Sequence, residues 1–354
     1  MTDSISLGRG HYAVINEKGN LDVYNTSHSV KTINSWLVKY PPESSDANPK
    51  IVPKDPDSVA DCYITSTDKR KSLRFPSKVV SVSCKDPLIG VVTEDGNAYL
   101  SSFDKDELKR GMLEAIGSGH FPIFKQLKLK DQMAAFCEMK AIKIRCSYFG
   151  YVLLFENKKM YFKLVTDDDS RILPVIQSST DLEDMPTGII DIDTDNSSLE
   201  VAVAITENNT FHRWFQTYLE NGSLGLEEIS QSLSKIDGKK IIYSQWEALI
   251  LTESGQVWLH NAYNNESSQI EFPNPIQYIF SVASSICDRT YLAIDTTGKM
   301  YIWKDHRNIL TLDLGLVTIM AALLPTKKLG LFLTDDRKIL RVDLSKVRFP
   351  FPYY

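Results

Sequence analysis

An all-β chain assembled from one recurring unit is what these 354 residues predict, on three observations. Seven segments share one form: a β-rich apolar strand, a polar tetrad, then a second apolar strand. They are YAVINEKGNLDVY (12–24), IGVVTEDGNAYL (89–100), YVLLFENKKMYFKL (151–164), VAVAITENNTFHRW (201–214), ALILTESGQVWL (248–259), YLAIDTTGKMYIW (291–303) and LGLFLTDDRKILRV (329–342). An alternating strand lies upstream of most of them, as in VVSVSC (79–84), MKAIKIRC (139–146), GIIDID (188–193), IQYIFSVA (276–283) and LVTIMA (316–321). Such period-two alternation marks a strand with one face buried. The turn positions Gly19, Gly96, Lys158, Asn209, Gly255, Gly298 and Arg337 are 77, 62, 51, 46, 43 and 39 residues apart. An all-β unit of roughly 40–50 residues is the period of a propeller blade rather than of a helical solenoid.

Each unit therefore reads strand, short link, strand, tight turn, strand. Gly or Asn at the turn suits a backbone of positive φ, which tight hairpins demand. Five of the seven turns obey, and Lys158 and Arg337 are expected to use a looser turn. Trp214, Trp258 and Trp303 recur at the ends of the fourth to sixth hairpins, at what reads as one repeat position, and are expected to pack between blades. Two insertions lengthen the first spacings. Residues 40–58 (YPPESSDANPKIVPKDPDS) are rich in Pro, Ser, Asp and Asn and read as a flexible surface loop. Residues 101–138 read as partly helical: Ser102 or Asp104 would cap a helix ending at Gly117, with Leu108, Met112 and Ile116 on one face. That face either packs on its own blade or docks a partner. A second short helix is expected in LGLEEISQSLSKI (224–236). The whole span 1–354 reads as one domain. Its tail, SKVRFPFPYY (345–354), is expected to return to the first blade or to pack Phe349, Phe351, Tyr353 and Tyr354 over the seam; these aromatics are also partner-binding candidates.

ISLGRGHYAVINEKGNLDVYN (5–25) and VVSVSCKDPLIGVVTEDGNAYL (79–100) resemble the repeat of the regulator of chromosome condensation family, with Gly8, Gly10 and His11 at its small-residue turn. Later repeats depart from it, with Ser147, Glu247 and Asp288 where the glycines would stand. The resemblance covers most of the chain. It implies a seven-bladed propeller, in agreement with the seven hairpins counted above. It also implies protein partners, which in that family include small GTPases, tubulin-related factors and ubiquitin machinery. The founding member is a guanine-nucleotide exchange factor that wedges a GTPase open with a protruding β-hairpin and binds nucleosomes with a basic tail. No basic tail is present here, and no long hairpin insertion is evident outside 101–138.

The remaining chemistry narrows the function. A hydrophobic content of 43% supports a sizeable core, and a net charge of −5 gives no broad basic surface for nucleic acid. The cysteines stand at 62, 84, 137, 146 and 287 without a C-x-x-C pair, and read as reduced thiols of an intracellular protein, cytoplasmic or nuclear. Neither a signal-peptide run nor an apolar stretch of ~18 residues is present. Asp191, Asp193, Asp195 and Asn196 open like a calcium loop, but Asn196 and Ala202 stand where Gly and Glu are needed; alternation with Ile190 and Ile192 reads instead as an outward polar face. Gly8-x-Gly10-x-x-Ala13 precedes a strand, the wrong setting for a dinucleotide fingerprint. The six histidines show no metal-ligand spacing, and no catalytic or cofactor motif stands out. The expected function is a non-catalytic protein-interaction scaffold using propeller loops. The alternatives are an exchange factor for a small GTPase and a structural subunit of a large assembly. If the tail seals the ring, deleting residues 346–354 lowers Tm markedly in a thermal melt, whereas an unchanged melt removes that role.

Overall fold

The computed structural model describes residues 5–25, 70–102, 139–164, 186–218, 224–282, 290–312 and 318–343, apart from short breaks, together with the pieces 36–39, 50–53 and 123–126. Every regular element among them is a strand, and the strands form seven sheets. All seven hairpins expected from the sequence are present, each as the second and third strands of its sheet. Sheets two and five are typical: Val79–Lys85, Leu88–Thr93, Ala98–Ser102 and Ile123–Gln126 follow one another antiparallel, as do Gly238–Ser244, Glu247–Thr252, Val257–Asn261 and Glu266–Ile270. Sheets three and seven show three strands among the described residues.

Why the second strands read as unbroken apolar runs is clear from their burial. Leu88–Thr93, Gly150–Phe155 and Thr290–Asp295 are buried at every residue. Each lies between two neighbouring sheets, so both of its faces are covered. Five apolar clusters fill the spaces between sheets one to six. Ala13, Leu21 and Val23 meet Val82 and Val91; Val92 and Ala98 meet Ile144 and Leu153; Val152 and Leu154 meet Ile192 and Ala204. Val203 and Phe211 then meet Ile241 and Tyr243, and Leu249 and Val257 meet Ile279 and Tyr291. Removing such side chains from water stabilises the fold by about 1.5–3 kcal/mol each. Contacts run from sheet to sheet in chain order, and Ile5–Leu7 of the first sheet lies against Thr318–Leu324 of the seventh.

The first strand of each sheet has one edge that no strand pairs. In sheets two, three and five, side chains of the preceding sheet accept from its N–H groups. Cys84 N–H donates to Ser6 Oγ at 2.7 Å, Ile144 and Cys146 N–H to Ser81 and Ser83 Oγ at 3.3 and 2.9 Å, and Ile241 and Tyr243 N–H to Asp191 and Asp193 Oδ2 at 2.9 and 2.8 Å. Asp191 and Asp193 are thus buried rather than outward-facing. Asp191 also pairs with Lys143, and Asp193 with Arg145 at 3.4 Å, so the two acids join sheets three, four and five. The alternation that suggested an exposed face arises because every second residue turns toward the next sheet's backbone.

The hairpin turns form a second set of links. Gly19, Gly96, Gly255 and Gly298 have φ of 75°, 84°, 83° and 83°, and Asn209 has 54°. Lys158, expected in a looser turn, also takes φ 61°, and its N–H donates to Phe155 O at 2.9 Å as the glycines do in theirs. Single peptide units bridge successive turns. Val79 N–H donates to Gly19 O while Lys78 O accepts from Glu94 N–H; the same pattern recurs at 140–141, 188–189 and 275–276. This close approach excludes side chains: a Cβ on Gly96 would lie 2.6 Å from the Lys140 Cβ, and one on Gly19 2.7 Å from that of Lys78. At the third turn the sizes are exchanged, with Lys158 in the turn and Gly188 at the bridging position.

Three further expectations are corrected. Leu224–Ser232, read as part of a helix, is a strand paired along its whole length with Thr210–Tyr218. A nine-residue backbone ladder outweighs the weak helical spacing of its leucines. Within 40–58, read as a loop, Lys50–Pro53 is a strand that pairs with Trp36–Lys39 and adds in parallel to Leu310–Leu312; its Ile51 and Val52 favour extended backbone. Trp258 does not share the repeat position of Trp214 and Trp303. It lies three residues after its turn glycine rather than five, and His260 holds the equivalent place. All three tryptophans nonetheless pack between neighbouring sheets. Gly96→Ala is expected to destabilise by at least about 2 kcal/mol, from both φ and the Lys140 contact, whereas Lys158→Gly changes stability by less than about 1 kcal/mol. Urea denaturation of the two variants checks this contrast.

Candidate interaction surface at the fourth and fifth sheets

In the fourth sheet the third and fourth strands, Thr210–Tyr218 and Leu224–Ser232, have nine residues each and pair in unbroken register from Thr210 with Ser232 to Tyr218 with Leu224. The second strand ends its pairing at Glu200 with Phe215. Among the described residues, 216–218 and 224–226 therefore pair only with each other and project past the second strand as a hairpin.

Arg213 stands at the base of this projection. Its guanidinium carbon is 5.4 Å from the Phe215 ring centroid and 5.3 Å from that of Trp246, which belongs to the fifth sheet. Arg213 is buried, and a desolvated cation over an aromatic face contributes about 2 kcal/mol. Trp246 lies in the turn between Gly238–Ser244 and Glu247–Thr252 with φ 75°, an outlier for a bulky side chain, and 41% of it is exposed. Holding that backbone costs about 1–3 kcal/mol, offset by Arg213 and by Ala262 N–H donating to Trp246 O at 2.7 Å. Tyr263, 84% exposed, sits in the next turn of the same sheet end, where Asn261 Oδ1 accepts from the Tyr263 and Asn264 N–H groups. Trp246, held by Arg213, and the exposed Tyr263 ring thus face solvent beside a projecting hairpin.

Polar networks lie behind the surface. His212 Nδ1 is 2.8 Å from Glu228 Oε1 and 3.3 Å from Ser230 Oγ, and Trp214 Nε1–H donates to Glu228 Oε2 at 3.2 Å. The trio is no nucleophile–base–acid relay, because serine and glutamate meet the same ring nitrogen. His260 lies between Ser267 Oγ (2.9 Å) and Gln231 Oε1 (2.8 Å). Burial, reinforced by the Arg213 charge, lowers its pKa from 6.5 to about 4. Among the described residues no group of three His, Cys, Asp or Glu is placed to hold a metal, and no helix is long and apolar enough to cross a membrane.

The sequence-predicted contact residues Leu108, Met112, Ile116, Phe349, Phe351, Tyr353 and Tyr354 all lie outside the described residues, as do Gly8, Gly10, Asp195 and Asn196. Cys84 and Cys146 are buried. Sequence reasoning missed the projecting hairpin. Its signal was Asn221-Gly222 between two β-rich runs, the strongest short hairpin cue. No comparable cue marks Trp246 or Tyr263.

Repeated four-stranded antiparallel sheets packed face to face around their first strands define a β-propeller. Comparison with solved structures agrees. The chain has a TM-score of 0.55 and 10% identity to a chain of the mitotic checkpoint complex, covering 96% of this chain and 86% of that one. Against the complex of Kap60 bound to yeast RCC1 (Prp20) the values are 0.54 and 10%, covering 97% and 80%. Against human WBSCR16 they are 0.51 and 9%, covering 91% and 85%. At these identities the likeness is one of fold. Neither a family model nor a curated protein sequence matches the chain.

His260 binds a proton less readily in the folded chain than in the unfolded one between pH 6.5 and about 4. Stability is therefore intact above that window and falls as pH drops through it. Thermal melts across pH 7 to 4 are expected to show a shallower fall for His260→Gln than for wild type.

Proposed function

We propose that this chain is a non-catalytic scaffold that docks other proteins, built as a seven-bladed ring of the regulator of chromosome condensation type. The contact between the first strands of sheets one and seven supports the ring. The observation that carries the docking role is the projecting hairpin of the fourth sheet flanked by exposed Trp246 and Tyr263. Aromatic residues and arginine dominate protein interfaces, and rigid presentation lowers the entropic cost of binding. Two of the similar structures are of protein assemblies, the mitotic checkpoint complex and Kap60 bound to yeast RCC1 (Prp20). The inserted segment 101–138, with Leu108, Met112 and Ile116, and the aromatic tail with Phe349, Phe351, Tyr353 and Tyr354 are proposed as further contacts. No cofactor enters this reading, and the chain would act inside the cell, in cytoplasm or nucleus.

One observation favours a second reading. A hairpin protruding from a propeller is the element with which the resembled family's exchange factor opens a small GTPase, so exchange activity is the alternative. Both readings are tested on one pair of proteins, wild type and a Trp246→Ala/Tyr263→Ala variant of unchanged melt. Captured partners are compared by mass spectrometry, and nucleotide release is followed on a panel of small GTPases. Docking predicts partners lost from the variant with no accelerated release; release stimulated by wild type supports exchange. Identical partner sets for the two proteins would discard docking at this surface.

A further inference from the structure

The outer edge of the fourth sheet differs from the others. Outermost strands elsewhere are short: Arg70–Leu73 and Ile123–Gln126 have four residues and Glu266–Ile270 five. Leu310–Leu312 of the sixth sheet, with three, is already extended by Lys50–Pro53 of this same chain, added in parallel. Leu224–Ser232 has nine residues, pairs on one side without a register shift, and has no strand on its other side among the described residues.

A bare strand edge is a row of unpaired N–H and C=O groups that templates another chain, and proteins ordinarily blunt it with Lys, Pro, a bulge or short length. The outer strands of the first two sheets carry Arg70, Lys71 and Lys125 in their sequences. The sequence LGLEEISQS uses none of these devices. It carries instead two acids, Glu227 and Glu228, at its centre; Glu228 and Ser230 are exposed, although the Glu228 oxygens also meet His212, Trp214 and Ser230. Beyond Ser230 the strand is tied inward: Gln231 bonds His260 and Ala262 O, and Leu233 N–H donates to Asn209 O at 2.7 Å. The open part is therefore 224–230.

We propose that this edge takes up an extended, basic segment of a partner protein as an added antiparallel or parallel strand. Main-chain hydrogen bonds would supply the attachment and the central acids its charge preference. The proposal deepens the docking reading by naming the partner's chemistry, yet it uses the perimeter strand rather than Trp246 and Tyr263.

The test is amide hydrogen exchange of the full chain with the peptide acetyl-Lys-Val-Lys-Val-Lys-Val-amide. Controls are a Glu-for-Lys version and a version N-methylated at alternate amides, which cannot join a ladder. Strand addition predicts exchange slowed about tenfold or more within 224–230, absent with both controls and weakened by salt. Glu227→Lys should reduce the protection, and Trp246→Ala should leave it unchanged. Failure of the peptide to protect 224–230, or equal protection by the N-methylated peptide, overturns the proposal. Partner loss in the Trp246→Ala/Tyr263→Ala variant would then still stand for the docking reading. Protection spread over the whole acidic chain would reduce the effect to charge alone and would also overturn it.

Discussion

Among the described residues, each sheet begins with a strand whose inner edge has no strand to pair with, and buried peptide N–H groups left there would be costly. The answer is borrowed from the neighbour. Ser6, Ser81, Ser83, Asp191 and Asp193 each hand an oxygen across to the next sheet's backbone. Polar residues at alternate positions of the first strand are therefore structural, and no sheet that depends on such an acceptor is complete alone. Where two serines suffice between sheets two and three, two aspartates act between sheets four and five, and the extra charge is met by Lys143 and Arg145.

The apolar clusters obey the same logic, since each is made half by one sheet and half by the next. A surface built on such a body inherits its stiffness. Trp246 keeps an unfavourable backbone angle because Arg213 of the adjoining sheet and the Ala262 amide hold it from two sides. The projecting hairpin likewise grows out of strands whose lower halves are locked between neighbours. Its ladder is presented in place rather than formed on contact.

Much of this architecture was readable in advance. The tetrads marked all seven hairpins, five of them because a positive φ restricts which residues can stand there. What escaped was set by tertiary partners. Lys158 looked wrong for its turn because the peptide that bridges it, Gly188–Ile189, is thirty residues away. LGLEEISQS looked helical because its nine-residue ladder is a property of the strand beside it. Asp191 and Asp193 looked solvent-facing because alternation says which residues share a side and not what covers that side. The surface was the least legible part: a lone tryptophan in a short turn carries no periodic mark.

The exchange of sizes at the third turn has a wider bearing. Gly188 takes φ 73° and a Cβ there would meet Glu207, whose carboxylate pairs with Lys158, so the two positions meet through Glu207. Columns of an aligned repeat would score Lys158 and Gly188 as two independent lapses from consensus, although together they preserve the joint. Divergent repeats of this kind can thus drift far in letters while each seam keeps its shape, provided substitutions arrive in matched pairs.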